Sequence, residues 1–253
     1  MPELNTQQLE RYKRNILLDG VGQQGQEKLL QARVLVVGSG GLGSPAAYYL
    51  AAAGVGHIGL VDGDRVDLSN LQRQILHSTN DLGHLKVESG RDKLTALNPD
   101  VTVTGFSDWL GENNCLDIIK RFDLVVDGTD NFATRFLINQ ACVQQRKPYI
   151  FGGVLGFTGQ VMTILPGKGP CLACIFREMP PETAPSCSNI GVLGAVPGMI
   201  GAAEAAEAVK VILGIGEPLV GRLLTYDALS MGFYNIEIGR DPACPVCGSL
   251  GPD

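Results

Sequence analysis

The chain has 253 residues, a net charge of −6 and 45% hydrophobic composition, enough apolar material for the core of one large domain. An acidic chain without a Lys/Arg-rich run argues against nucleic acid as a partner, and the weakly charged stretch 191–216 is broken by Glu204, Glu207 and Lys210, which argues against a membrane segment. The first fifteen residues lack both the apolar centre of a signal peptide and the acid-poor character of a transit peptide, so a cytoplasmic protein is expected.

Thr6 to Leu30 reads as one or two amphipathic helices. Arg33 to Gly38 is an apolar strand that runs into a Gly-rich turn and an Ala-rich helix from Pro45 to Ala53. A strand from His57 to Val61, a helix from Leu85 to Leu97 and a strand from Val101 to Phe106 follow. The alternation continues with strand Asp123–Asp127, helix Asn131–Gln145 and strand Pro148–Phe151. Repeated βα units with short connections predict an α/β fold with a Rossmann-like, doubly wound, mostly parallel sheet. Beyond Gly152 the pattern changes to strands at 160–165, 222–226 and 233–238 around one helix, Gly198–Leu213, so antiparallel strands should continue the sheet. Gly and Pro cluster between Pro166 and Pro185, which suggests an exposed, mobile segment. The chain therefore reads as a single domain: N-terminal helices over 1–30, a nucleotide-binding half over 31–155, and a second half over 156–253.

Gly38-Ser39-Gly40-Gly41-Leu42-Gly43 follows a strand and opens a helix, the setting in which glycines let backbone N–H groups approach a phosphate. Asp62, ending the next strand, stands where a ribose hydroxyl would be bound. These features alone suit a nicotinamide or flavin oxidoreductase. The next segment suits a triphosphate better: Asp62-Gly63-Asp64 leads to Ser69-Asn70-Leu71-Gln72-Arg73, and Lys86 opens a helix. Arg73 can clamp phosphate oxygens, and Lys86 can sit as a point charge on the α-phosphate. In Gly128-Thr129-Asp130-Asn131, Asp130 can hold Mg²⁺ against the phosphates or, like Asn131, simply cap the following helix. Cys171/Cys174 and Cys244/Cys247 form two Cys-x-x-Cys pairs, which in a cytosolic chain favour a closed tetrahedral Zn²⁺ site over disulfides. Cys115 and Cys142 read as packing residues within helices.

Together, Arg11-Tyr12-Lys13-Arg14 with Gly25-Gln26, the Gly-rich turn, Ser69 to Arg73, Lys86, Gly128 to Asn131 and the two cysteine pairs resemble the MoeB/ThiF/HesA family, bacterial relatives of ubiquitin-activating enzymes. The resemblance runs through nearly the whole chain in order. It implies an ATP-dependent adenylyltransferase that activates the C-terminal glycine carboxylate of a ubiquitin-like sulfur-carrier protein ending in Gly-Gly, giving an acyl-adenylate and pyrophosphate. By similarity Gly41, Asp62, Asn70, Arg73, Lys86 and Asp130 would contact ATP or Mg²⁺, with Gly38, Gly40, Asp64, Ser69, Leu71, Gln72, Thr129 and Asn131 completing the site. Arg14 would enter the active site of the partner subunit of a homodimer, and the second half would bind the carrier. An ionised carboxylate needs no general base, in keeping with only three histidines, His57, His77 and His84.

Cys187, in a crossing loop, is open to two readings, the thioester or persulfide chemistry that the resemblance implies for a cysteine here, and a non-essential residue; Ile190 departs from the small residue expected before Gly191. No rhodanese-like extension follows Asp253, so a sulfur donor is expected to be a separate protein. The pathway served, molybdopterin, thiamine or cysteine synthesis, is not written in the sequence. An oxidoreductase would leave Arg73, Lys86, Asp130 and the cysteine pairs without a role. A non-catalytic zinc scaffold binding a ubiquitin-like protein would leave both cations and Asp130 unused.

Overall fold

The computed structural model describes residues 3–181 and 187–251, the side chains of 187 and 188 excepted. Three helices open the chain: α1 Thr6–Arg11, α2 Lys13–Ile16 and α3 Gly22–Gln31. The parallel half comprises β1 Arg33–Val37, α4 Gly43–Ala53, β2 His57–Val61, α5 Lys86–Leu97, β3 Thr102–Phe106, α6 Cys115–Ile119, β4 Leu124–Asp127, α7 Phe132–Gln144 and β5 Tyr149–Leu155. Then come β6 Thr158–Ile164, α8 Leu172–Ile175, α9 Cys187–Ile190, α10 Ala195–Leu213, β7 Arg222–Asp227 and β8 Gly232–Glu237. Among the described residues all strands join one eight-stranded sheet in the order β3-β2-β1-β4-β5-β6-β7-β8, parallel through β5 and antiparallel beyond it. The α/β architecture and the change of direction in the second half are those expected.

Strand order reverses between β1 and β4, and the first half's geometry follows from that point. β1 is covered on both faces, which is why it reads as an unbroken apolar run. Its alternate side chains divide between two cores: Val34 and Val36 pack with Leu50, Leu60 and Ile200, whereas Leu35 and Val37 pack with Phe122, Ile138 and Tyr149.

The boundaries differ from expectation in four instructive places. The N-terminal helices number three because Tyr12 turns inward between α1 and α2, leaving its side chain 1% exposed. β5 runs on to Leu155 because Gly156, at φ +59°, makes the tight turn into β6. α10 starts at Ala195 rather than Gly198, because Pro197 lies in the first turn, where its missing N–H would have had no helical partner. The segment after Pro166 is not uniformly exposed: Lys168 is exposed, Cys171, Leu172 and Ala173 are buried in the second core, and exposure resumes at Arg177. Residues 182–186 of that segment lie outside the described residues. Among the described residues, no helix is long and apolar enough to cross a membrane.

Candidate active site and cysteine cluster

At the carboxyl ends of β1, β2 and β4 a cleft of about 740 Å³ opens at the point where strand order reverses. The Gly-rich turn forms one wall. Gly38 sits at φ +87°, and a Cβ there would lie 2.6 Å from the Gly128 carbonyl oxygen; one on Gly43 would lie 1.8 Å from the Gly38 oxygen. Only glycine lets the turn pack this closely on the loop after β4, leaving Gly40 and Gly41 on the cleft surface before α4 begins.

Asp62 braces the turn. Its Oδ2 accepts from the Ser39 N–H at 2.8 Å and the Ser39 hydroxyl at 3.0 Å, and its Oδ1 accepts from the Asp64 N–H at 2.9 Å. Lys86, the first residue of α5, is 4% exposed, and its Nζ meets the half-exposed Asp64 carboxylate at 2.8 Å. A buried ammonium with one partner retains two donors for an anion in the cleft. Arg73 lines the same wall and donates from Nη1 to the Ser69 carbonyl oxygen at 3.2 Å. That carbonyl belongs to the short helical turn Leu68–Asn70, capped by Asp67, whose Oδ1 accepts from the Ser69 hydroxyl and N–H. The hydroxyl bond, then the N–H bond, hold the Asp67 carboxyl below its ordinary range.

The opposite wall is the loop after β4. Fully buried Asp127 accepts from the Thr129 N–H at 2.9 Å and hydroxyl at 2.6 Å through Oδ1, and from the Tyr149 hydroxyl through Oδ2. Arg135, reaching back from α7, donates from Nη2 to the Thr129 carbonyl oxygen at 2.7 Å and sets Nε 3.7 Å from Asp127 Oδ2. Its guanidinium lies between the rings of Phe132 and Phe151, 5.4 and 5.5 Å from their centroids. Asn131 takes the cap of α7, accepting from the Thr134 N–H at 2.9 Å. The neighbouring Asp130 carboxylate is therefore not needed as a cap and stands exposed on the cleft wall.

The four paired cysteines converge beneath the second half. Cys171 and Cys244 sulfurs are 3.7 Å apart, Cys174 and Cys247 3.5 Å, and all four lie within 4.8 Å of one another. A tetrahedral Zn²⁺ with bonds near 2.3 Å has edges of about 3.8 Å, so the cluster fits that ion. Asn139 of α7 supports it from outside, donating to Cys171 Sγ at 3.6 Å while its Oδ1 accepts from the Leu172 N–H. Burial pushes the Cys174 thiol up to about 11 and Cys171 further, so without a cation these two thiols keep their protons at neutral pH, and binding a metal would displace them.

The ThiF family model matches residues 12–246. The chain belongs to the ThiF family. It is 48% identical over 248 residues to the sulfur carrier protein adenylyltransferase of Thermus thermophilus, spanning 96% of this chain and 92% of that one. It is 47% identical over 251 residues to the SAMP-activating enzyme E1 of Haloferax volcanii, spanning 99% and 93%. Among solved structures, the chain superposes on Escherichia coli MccB with MccA-N7isoASN at a TM-score of 0.83 and 27% identity, covering 97% of this chain and 76% of that one. The same protein with ATP gives 0.81 at 28% identity, covering 94% and 75%.

Within this ThiF-family chain the structure gathers Gly38, Gly40, Gly41, Asp62, Asp64, Arg73, Lys86, Thr129, Asp130 and Asn131 around one cleft. Ser69, Asn70, Leu71 and Gln72 do not line it in the single chain; the Gln72 backbone instead abuts Gly194 ahead of α10. Arg14 is exposed on α2, which packs on α3 away from the cleft. Cys187 opens α9, and its side chain lies outside the described residues. Sequence reasoning missed Gln74, buried on the cleft wall with its Oε1 unpartnered, and Trp109, the sole tryptophan, whose indole covers Gly63 at the cleft rim. It also missed Arg135, whose helical position gave no sign that its head turns inward.

Proposed function

We propose that the chain is an ATP-dependent adenylyltransferase acting on the C-terminal carboxylate of a ubiquitin-like sulfur-carrier protein. The observation that carries this reading is the convergence of buried Lys86, Arg73 and Asp130 on one cleft beside a Gly-rich turn. The names of the Thermus and Haloferax relatives support it.

In this reading the triphosphate lies along Gly40 and Gly41, and Asp62 faces the ribose. Asp130 would hold Mg²⁺, which would offset phosphate charge. A carboxylate oxygen of the carrier attacks the α-phosphorus as the bond to the β-phosphate bridging oxygen breaks, and that electron pair leaves with pyrophosphate. The nucleophile is already ionised, so the protein positions and stabilises charge: Lys86 meets the α-phosphate as negative charge grows, and Arg73 clamps its neighbours. The far end of the cleft, lined by Val154, Leu155 and Thr158 beside Gly153 and Gly159, offers room for an extended carrier tail. A cation bound by the four cysteines would cross-link α8 to the C-terminal turn and serve structure, since all four positions are filled by protein.

A homodimer completes the reading. The C-terminal end of α4 is clasped by the N-terminal segment and the end of α5: Gln26 Nε2 donates to the Ala53 carbonyl oxygen at 2.8 Å, and Asn98 Nδ2 to the Ala51 carbonyl oxygen at 2.7 Å and to the buried Tyr12 hydroxyl at 2.9 Å. The eleven residues of α4 separate this clasp from the Gly-rich turn by about 16 Å. Arg14, two residues beyond Tyr12, is thus held away from its own turn and is available to a second subunit across a two-fold axis.

The test is ATP–pyrophosphate exchange with purified protein, Mg²⁺ and a panel of carrier proteins ending in Gly-Gly. Exchange that depends on one carrier and disappears in Lys86→Ala is the expected result, and it names the pathway. Folded wild-type protein that exchanges with no carrier would sink the proposal.

A further inference from the structure

His77 is 6% exposed, and both of its ring nitrogens are engaged: Nε2 lies 3.0 Å from the Ser39 carbonyl oxygen and Nδ1 2.9 Å from Ser89 Oγ. A carbonyl oxygen only accepts, so Nε2 carries the proton. The Ser89 hydroxyl takes a bond from Lys93 Nζ at 3.3 Å, which leaves its own hydrogen for Nδ1. Burial lowers the His77 pKa and favours the neutral ring, and with Nε2 protonated its Nδ1 accepts from the Ser89 hydroxyl, which fixes the tautomer. The ring joins the Gly-rich turn to α5 one turn beyond Lys86, tying together two elements that face the phosphate site.

Ser39 is held at every polar atom. Its N–H and hydroxyl donate to Asp62, and its carbonyl oxygen accepts from His77 and from the Ser44 hydroxyl at 3.2 Å. The peptide joining Ser39 to Gly40 is trans and planar, so its C=O and its N–H point in opposite directions. With the Ser39 oxygen pinned inward to His77, the Gly40 N–H turns outward, on the side where Gly40 lines the cleft. If this peptide rotated, the turn would present a carbonyl oxygen to the anion instead of a donor.

We propose that His77 is a positioning residue of the phosphate-binding turn, its Nε2–H fixing the Ser39–Gly40 peptide so that the Gly40 N–H faces the phosphates of the nucleotide. This rests on the ATP reading of the cleft and deepens it with a residue that the adenylylation chemistry itself does not use.

The test compares ATP with adenosine, by titration calorimetry, on wild type, His77→Gln, His77→Asn and His77→Leu. A glutamine amide nitrogen reaches the place of Nε2, whereas the shorter asparagine stops at the place of Nδ1. Asn and Leu variants should bind ATP about tenfold more weakly, the effect of one hydrogen bond to a charged group, with adenosine affinity within about twofold of wild type. The Gln variant should recover most of the ATP affinity. With three histidines in the chain, ring ¹⁵N shifts can be assigned, and they should report a neutral, Nε2-protonated His77 in wild type. Equal losses for ATP and adenosine, no loss for Asn, or an Nδ1-protonated ring would each overturn the proposal. Should the Leu variant fail to fold, the Gln–Asn contrast and the wild-type tautomer decide. Wild type that binds no ATP at all would overturn the nucleotide reading itself.

Discussion

Replacing Arg135 by methionine should destabilise the fold by about 3 kcal/mol, at the lower end of the range for breaking a buried ion pair by removing one partner. The substitution keeps a linear stem between the rings of Phe132 and Phe151 but deletes the bond to the Thr129 carbonyl oxygen and the positive charge 3.7 Å from Asp127. Asp127 would remain buried with three donors, from Thr129 twice and Tyr149 once, which is why the loss should not reach the upper end. Burial already pushes the Asp127 carboxyl up, against the pull of Arg135 and Thr129, so the loss of its counter-charge favours a protonated, weakened acceptor. The assay is equilibrium unfolding in urea at pH 7 for wild type, Arg135→Met, Asp127→Asn and the double variant. A coupling of about 1.5 kcal/mol or more is expected, because the second substitution removes the charge that the first leaves stranded. A single-variant cost below about 1 kcal/mol, or additivity within about 0.5 kcal/mol, would refute this account of the pair.

Three further outcomes follow from the same geometry. Glu204 is fully buried with both carboxylate oxygens unpartnered, and burial, then the Asp127 charge, hold its pKa well above the ordinary 4.5. The unfolded chain thus releases a proton that the fold keeps, and stability falls as pH rises from about 4.5 toward the folded value; Glu204→Gln should flatten the stability curve measured from pH 5 to 8, and an unchanged slope would contradict the assignment. Purified protein should hold about one zinc per chain by elemental analysis, and Cys244→Ser should lose it together with several degrees of Tm; a variant as stable as wild type would deny the cluster a structural role. Mixing Arg14→Ala and Lys86→Ala subunits should restore roughly a quarter of wild-type exchange, since half of random dimers are mixed and each has one site with both residues; no recovery in confirmed heterodimers would place Arg14 elsewhere.

How much was legible depends on whether a residue's role is set locally. The strand–turn–helix from Arg33 to Ala53 could be read because burial of β1 on both faces leaves a continuous apolar run, and because the tight turn needs glycine. The cysteine pairs could be read because each half-site lies within four residues. Arg135 could not, because its partners are a β4 residue, a loop carbonyl and, through Asp127, a hydroxyl from β5. Asp130 was ambiguous against a helix cap until Asn131 was seen to fill that place. The start of α10 was expected at Gly198, three residues late, because a proline in the first turn looks in sequence like one that precedes a helix. Which residues of β5 and β6 reach the cleft depends on their register, where Gly153 pairs with Gln160 and Val154 with Gly159, and no local pattern encodes that alignment.

The clasp on α4 gives that helix two working ends. Its first residue closes the Gly-rich turn, and its left-handed cap, Gly54 at φ +85°, is so close to Tyr12 and Gln26 that a Cβ there would lie 2.6 Å from each. The helix is in effect a gauge block: inserting one residue would advance the clasp by about 1.5 Å and turn it by about 100°, swinging the N-terminal helices out of line with the turn. Between Gly43 and Ala53, the exposed side chains at Tyr49 and Ala52 can therefore drift over time while the number of residues cannot.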